Sequence, residues 1–380
     1  MAKQQTENGM KKIACIVPYH FLPGSSGGQK LIAGFCEYLG AETELYVFGT
    51  PENDASLVKN YSLFPWLKSS QLRYGDLSLF FKLRKQLAEK KIKTVIIEHP
   101  YLGWLGWMLK KYCKVQLIFH THNIEFERFR SVGKSWWRLL KTYERWSLQS
   151  ADFIFCITEE DKIGMIERLN IPAAKCIVVP YGIKQQTVPT NKLETKISVC
   201  KELQIESTTS LLFFNGVLNY KPNLNALEVL LKEITPLLIE QKLNYKLLIA
   251  GKHLPLHYNF LKNWESKHVV YLGFLNDIDC YTLAADVLLN PIVSGGGVKT
   301  KMIEALGLNT AVVSTSSGAA GVHKENCGEK LRIVADGDWK SFTQETINAA
   351  TTKSENIPIA FYEQFSWNKI IQKLLPVFDK

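Results

Sequence analysis

No two of the eight cysteines, at positions 15, 36, 113, 156, 176, 200, 280 and 327, form a C-x-x-C pair. That spacing speaks against a paired-thiol metal or redox motif, and thiols scattered through apolar stretches read as buried and reduced, as in a cytosol. The histidines, His257 and His268 among them, show no zinc spacing. No uncharged apolar run approaches the ~20 residues that a membrane-spanning helix needs. The first ten residues are polar and Ile13–Val17 is too short a run for a secretory leader. Internal repeats and low-complexity tracts are absent. These absences predict a cytoplasmic globular protein.

What is present fits that class. The chain has 380 residues, 46% hydrophobic and 22% charged, which suggests about two or three domains with cores that need no staples. The net charge of +10 is unevenly placed. Residues 1–190 hold 26 lysines and arginines against 17 acids, and the remainder holds 20 against 19. Lys82-Leu-Arg-Lys85, Lys90-Lys-Ile-Lys93, Lys110-Lys111 and the stretch Arg128–Arg145 carry much of the excess. Such clusters attract anionic membranes, nucleic acid or acidic substrates, or are simply a solvated face.

Short apolar strands alternate with amphipathic helices, which implies parallel sheets. In the first half the strands are expected at Lys12–Pro18, Glu44–Phe48, Thr94–Glu98, Gln116–His120, Phe153–Ile157 and Ile177–Pro180, with helices such as Gln29–Leu39 and Lys134–Gln149. Residues 184–208 are polar and read as a linker leading into a second domain. There the strands are expected at Leu211–Asn215, Lys246–Ala250, Val269–Leu272, Val287–Asn290, Ala311–Ser314 and Leu331–Val334. Helices are expected at Leu224–Leu231, Asp279–Ala285, Val298–Leu306, Trp339–Thr351 and Trp367–Leu375. Two α/β domains with ligand loops at strand C-termini imply a cleft between them.

The segment Pro291-Ile-Val-Ser-Gly-Gly-Gly-Val-Lys-Thr-Lys-Met-Ile-Glu-Ala-Leu-Gly307 is the most informative. A buried strand ends in the loop Gly295-Gly296-Gly297, and a helix follows. Glycines let backbone approach a ligand closely. Bare amides at a helix N-terminus, with Lys299 and Lys301 beside them, suit a diphosphate. Glu304, one to two turns on, is placed to hold a ribose diol. A solvated Lys301–Glu304 pair at i, i+3 is the structural alternative.

In the first half, Gly27 and Gly28 precede a helix and offer amides to a ligand. His120, His122, Asn123 and Glu125 make a dense polar cluster at a strand end, and either histidine suits a sugar hydroxyl or phosphate near neutral pH. Asp277-Ile-Asp279 spells Asp-x-Asp, but Asp277 reads better as an N-cap than as a metal ligand. The stretches Tyr101–Trp107 and Ser135–Lys141 mix tryptophan with basic residues. They suit either a bilayer interface or helix packing.

Residues 211–322 resemble the donor domain of retaining glycosyltransferases of family 4, fold type GT-B. The resemblance rests on Leu212–Ala226, Leu247–Gly251, Val270–Phe274, Pro291–Leu306 and Val312–Val322, in that order. More loosely, Gly24–Gln29, His120-Thr-His-Asn-Ile-Glu125, Tyr143-Glu-Arg145, Ile157–Asp161, Val179–Gly182 and Phe365-Ser-Trp367 continue it over nearly the whole chain. Two positions depart from the common pattern. Gly296 stands where many members have a first glutamate, so the sugar-hydroxyl contact is unassigned. Val217 and Asn223 replace a frequent arginine and lysine, which leaves Lys299, Lys301 or Lys221 to neutralise phosphate.

The resemblance implies a GT-B fold: two Rossmann-like domains facing a central cleft, with the C-terminal helix crossing back to the N-terminal domain. Residues 1–186 with 361–380 would form the acceptor side, and residues 187–360 the donor side. It implies transfer of a sugar from a nucleotide-diphosphate sugar to a glycan or lipid-linked acceptor with retention, as in bacterial surface polysaccharide synthesis. His122, His120, Lys301 and Glu304 would be catalytic. Gly27, Gly28, Asn215, Gly216, Lys221, Gly295, Gly296, Gly297, Val298, Lys299, Lys301 and Glu304 would bind the donor. No metal or other cofactor is expected. The basic N-terminal half adds contact with an anionic membrane surface on its inner face. A sugar-nucleotide epimerase of the same fold is the alternative enzyme. A non-enzymatic nucleic-acid-binding protein, motivated by the charge, is the third reading and ranks last, because the basic residues are scattered and no recognition motif is present; no nucleic acid is expected among the partners.

Overall fold

The computed structural model describes residues 10–262, 264, 268–352 and 355–379. The polar first nine residues, which bear on the leader, lie outside these. The chain divides into two units, one running through Gly182 and resuming at Trp367, the other spanning Ile183–Ser366.

The first unit is built on a seven-stranded parallel sheet. Its strands are β1 (Lys12–Ile16), β2 (Glu44–Phe48), β3 (Ser62–Phe64), β4 (Thr94–Glu98), β5 (Gln116–His120), β6 (Phe153–Cys156) and β7 (Cys176–Val178). Their order is β3-β2-β1-β4-β5-β6-β7. Every residue of β4 is buried, as expected of a strand covered by helices on both faces, and Val95, Ile96 and Ile97 have the β-branched shape that packs there. The order reverses between β1 and β4. Ligands bind such sheets outside the strand C-termini at that point.

The second unit has a six-stranded parallel sheet. It comprises β8 (Ser210–Asn215), β9 (Tyr245–Ala250), β10 (Val269–Gly273), β11 (Val287–Asn290), β12 (Ala311–Thr315) and β13 (Leu331–Val334). The order is β10-β9-β8-β11-β12-β13, so its reversal falls between β8 and β11.

The helix Trp367–Leu374 packs on the helix Gly27–Glu42 of the first unit. Glycine makes this close approach feasible. A Cβ on Gly34 would sit 2.4 Å from Trp367 Nε1, and one on Gly182 would sit 2.2 Å from Trp367 Cδ2.

The twelve expected strands are present, most with ends moved by one or two residues, and β3 joins them. Five differences concern helices. The expected Gln29–Leu39 helix runs Gly27–Glu42, so Gly27 and Gly28 form its first turn rather than precede it. The expected linker contains the helix Lys192–Glu202. It docks because Lys192 Nζ donates to Leu283 O, Ala285 O and Thr310 Oγ1 at 2.7–2.8 Å. The helix after the glycine loop begins at Thr300, two residues later than expected, with Lys299 at its N-cap. The stretch 134–149 forms a helix only from Trp137, after a separate short helix Glu125–Ser131. The expected helix from Leu224 starts earlier, at Lys221, and runs on through a wide turn to Glu240.

Candidate functional site

In the first unit, register brings the ends of β4 and β5 together, with Glu98 paired against His120. Glu98 is fully buried. Its carboxylate accepts from His120 Nδ1 at 3.0 Å and from His122 Nε2 at 2.8 Å. Burial pushes the Glu98 carboxyl up. The charge and hydrogen bond of His120, together with those of His122, outweigh burial and hold it well below the usual range. Burial, reinforced by the neighbouring His99, lowers His122 to about 3. His122 is therefore neutral at physiological pH. With Nε2 donating to Glu98, its Nδ1 carries a lone pair. A Cβ on Gly28 would lie 3.8 Å from that Nδ1, so the lone pair looks toward the start of the helix Gly27–Glu42. The first-turn amides of Gly27 and Gly28 have no intrahelical acceptor. Sequence-expected Gly27, Gly28, His120 and His122 thus gather at the β1/β4 reversal.

A second carboxylate–imidazole pair adjoins the first. Glu125 accepts from His99 Nδ1 at 3.0 Å, Tyr101 Oη at 2.5 Å and Arg128 Nε at 2.8 Å. Burial would raise Glu125. The hydrogen bond and charge of His99, together with Arg128, instead hold it near 2. Glu98 and His99 were not singled out from sequence. A carboxylate closing the apolar run Thr94-Val-Ile-Ile-Glu98, followed by His-Pro, was the available signal.

Among the described residues, Glu98, His120 and His122 form a group able to hold a metal, their ligand atoms lying within 4.8 Å of one another. In this geometry the carboxylate is already satisfied by two imidazole N–H donors. His120 Nε2 is buried without a partner.

In the second unit, β8 and β11 are neighbours, and the loops that leave them meet. A Cβ on Gly295 would lie 3.1 Å from Pro222 Cγ and 3.3 Å from Tyr220 Oη. Gly295 and Gly297 have φ of 94° and 73°, a conformation that favours glycine. Lys299 Nζ donates to the carbonyls of Gly295, Gly296 and Gly297 at 2.8, 3.3 and 2.8 Å. Lys301 Nζ donates to Asn215 O at 3.0 Å and lies 4.4 Å from the Phe214 ring centroid. Neither ammonium has a carboxylate among these partners. Burial, with Lys299 beside it, pulls Lys301 down to about 7, and burial lowers Lys299 too. Asn215 Oδ1 is buried without a partner. Half-buried Glu304 lies on the following helix. Asn215, Gly216, Lys221, Gly295–Gly297, Val298, Lys299, Lys301 and Glu304 are thereby carried on two adjacent strand ends and their following helices.

Asp277 is an N-cap, its side chain accepting from Cys280 N at 3.1 Å. The tryptophans divide. Trp104 donates from Nε1 to Tyr74 O at 2.6 Å and, like Trp137, packs against the core. Trp107 and Trp136 are exposed, as is Trp146. Of the four tryptophans considered for a bilayer interface, only two have the exposure that role needs.

Two doubly wound parallel sheets, each with polar loops at its reversal, define the GT-B architecture. A sucrose-phosphate synthase of Thermosynechococcus elongatus superposes with a TM-score of 0.71 at 15% identity, covering 97% of this chain and 98% of that one. Anabaena HepE in complex with UDP-glucose gives 0.69 at 14% identity, covering 97% and 99%. Residues 25–186 match the family described as Glycosyltransferase Family 4, and residues 209–352 match Glycosyl transferases group 1. The chain is a glycosyltransferase of this group 1, family 4 type. A chitobiosyldiphosphodolichol beta-mannosyltransferase of Debaryomyces hansenii is 23% identical over 78% of this chain. An uncharacterized 44.6 kDa protein in the cps region of Klebsiella pneumoniae is 31% identical over 39% of it. The matches span 66% and 39% of those relatives' own lengths.

Proposed function

We propose that this protein transfers a sugar from a nucleotide-diphosphate sugar to a glycan or lipid-linked acceptor, with retention of configuration, in the assembly of a bacterial surface polysaccharide. The observation that carries the donor half is the Lys299–Lys301 pair. Two half-buried lysines carry ammonium groups that meet carbonyls and the Phe214 ring, with no carboxylate partner among the described residues, beside a glycine loop at the β8/β11 reversal. Such a pair suits an anionic ligand such as a diphosphate. During transfer the bond from the sugar to the diphosphate breaks, a bond to the acceptor oxygen forms, and the acceptor hydroxyl loses its proton. Cations already in place stabilise the charge growing on the departing diphosphate. Glu304 would hold the ribose diol. Asn215, Gly216, Lys221 and Val298 would line the same pocket. Gly27 and Gly28 would offer amides, and His122, oriented by Glu98 with His120, would accept a sugar hydroxyl.

HepE is described with UDP and UDP-glucose, which supports a uridine or similar nucleotide. The cps-region relative supports a polysaccharide product. Retention rests on the family resemblance. We further propose that no metal takes part and that exposed Trp107 and Trp136 bring the protein to an anionic membrane face. Calorimetry with UDP, GDP and ADP, followed by turnover of the matching nucleotide sugars in chelator, tests this reading. No binding of any of the three would overturn it. Activity lost in chelator and restored by manganese would overturn its metal-free form.

A further inference from the structure

We propose that His99 forms, beside His122, a second subsite for a sugar hydroxyl at the C-terminal edge of the first sheet. The proposal rests on the transferase reading for its ligand class and on the following geometry for its place.

His99 has φ 63° and ψ 158°. A side chain in that region is strained and persists only where its surroundings over-determine it. A glycine would hold the same turn without strain, so the imidazole is retained at a backbone position that disfavours it. The backbone is fixed by His99 N donating to His120 O at 2.9 Å. The ring is fixed by Nδ1 on Glu125. Glu125 in turn is anchored through Tyr101 and Arg128, while Glu144 accepts from the amides of Glu125 and Phe126 at 2.8 and 2.9 Å.

All of this orients one atom, Nε2, which bonds to none of the described residues. His99 is buried with 9% of its surface exposed, and its Nε2 is not among the sealed side-chain atoms that lack a partner. The His99 and His122 ring centroids are 4.1 Å apart. Both rings give one nitrogen to a buried carboxylate and leave the other free, which makes two oriented imidazole nitrogens side by side. Tyr19 stands edge-on to His99 at 4.9 Å and Tyr101 stacks on it at 5.8 Å.

The chemistry selects the ligand. A hydroxyl can donate to an imidazole lone pair or accept from an imidazole N–H, so it pairs with either form of Nε2. The tyrosine rings add apolar surface for the C–H face of a sugar. Anions are disfavoured: the carboxylates of Glu98 and Glu125 bond the two rings, and Arg128 is the one cation among the described partners of this network. The hydroxyl comes either from the donor sugar or from the acceptor.

Two substitutions separate binding from support. His99→Asn keeps an amide near the Nδ1 position, facing Glu125, and deletes Nε2. His99→Gln places an amide near Nε2 and loses the Glu125 bond. UDP and UDP-glucose would be titrated by calorimetry into the full chain. Methyl glucosides, galactosides and mannosides would be followed by saturation-transfer NMR with UDP present. His99→Asn should leave UDP affinity within twofold of wild type. A loss of tenfold or more for UDP-glucose alone assigns the donor sugar, and loss of glycoside saturation alone assigns the acceptor. His99→Gln should retain part of whichever is lost. The subsite is overturned if folded His99→Asn binds UDP-glucose and the glycosides as wild type does, or if wild type saturates none of the glycosides and gains nothing from the glucose of UDP-glucose. Failure of UDP, GDP and ADP alike to bind would instead sink the transferase reading, leaving the glycoside arm to decide on His99.

Discussion

On the proposed reading, Lys301 would couple donor binding to protons. Lys301 is half-buried with one carbonyl acceptor, and its ammonium is lowered to about 7, so above neutral pH the unliganded chain holds largely neutral lysine. A diphosphate would raise that value and draw a proton in. Nucleoside diphosphate affinity should therefore fall above pH 7, by at most about tenfold per unit. Calorimetry in buffers of different ionisation enthalpy would reveal the proton uptake. For stability the sign is opposite. The unfolded chain binds this proton up to its ordinary lysine range while the native chain releases it near 7. The empty protein should therefore gain stability as pH rises across that window. Lys301→Met should remove this slope, raise empty-state stability at pH 7 by about 1–3 kcal/mol, and abolish most UDP binding. Glu304→Gln should weaken the nucleotide by about 1.5–3 kcal/mol with an unchanged melting curve. At this scale the glycine loop, the lysines and His122 were legible because they stand in local patterns. Glu98 was not: its meaning comes from pairing β4 against β5, a contact between residues 22 positions apart. His99 is hidden for a different reason, since its left-handed backbone is a consequence of tertiary packing.

Among the elements, the strands were legible because near-continuous apolar runs have few other uses in a parallel sheet. The helix Lys192–Glu202 was not, because it buries only Val199 and Cys200. Its attachment is polar, through Lys192, and polar attachment leaves no periodicity to read. The closing helix and its return to the first unit were expected from the Phe365-Ser-Trp367 resemblance and are present, but its seat against Gly34 was not foreseen. Gly34→Ala would force its Cβ into the Trp367 indole and should cost about 1–3 kcal/mol. Thermal melts would show a lower midpoint, and a wild-type midpoint would mean that the indole shifts freely. The helix Glu125–Ser131 carries a pH signature. Burial raises Glu144 to about 7 despite its bonds to two helix amides. A carboxyl raised on folding binds its proton more tightly in the native state. Its stabilising contribution is present below about pH 4.5 and is lost as pH rises to about 7. The stability of wild type relative to Glu144→Gln should therefore fall over that window, by about 1–3 kcal/mol.

At the scale of the whole chain, charge and aromatic exposure converge on one unit. Residues 1–190 carry 26 basic against 17 acidic residues, whereas the rest is nearly balanced. The same unit exposes Trp107, Trp136 and Trp146, with Phe81, Tyr112 and Leu139. Lys111 Nζ lies 4.8 Å from the Trp107 ring centroid, and Arg138 lies 5.1 Å from that of the half-buried Trp137. No helix of the described residues is long and apolar enough to cross a membrane. Any membrane contact by these helices must then be made from one side, with rings at the interface and cations toward anionic headgroups. Each lysine or arginine near an anionic leaflet contributes about 1 kcal/mol, screened within a Debye length. Sedimentation with anionic vesicles should therefore be strong at low salt and fall steeply as salt rises, while neutral vesicles should bind little. Trp107→Ala with Trp136→Ala should weaken binding at every salt concentration without flattening the salt dependence, because the rings supply the apolar share and the cations the electrostatic one. Protein that stays in the supernatant with anionic vesicles at low salt would show that these rings serve another surface. It would also make a soluble acceptor the better expectation.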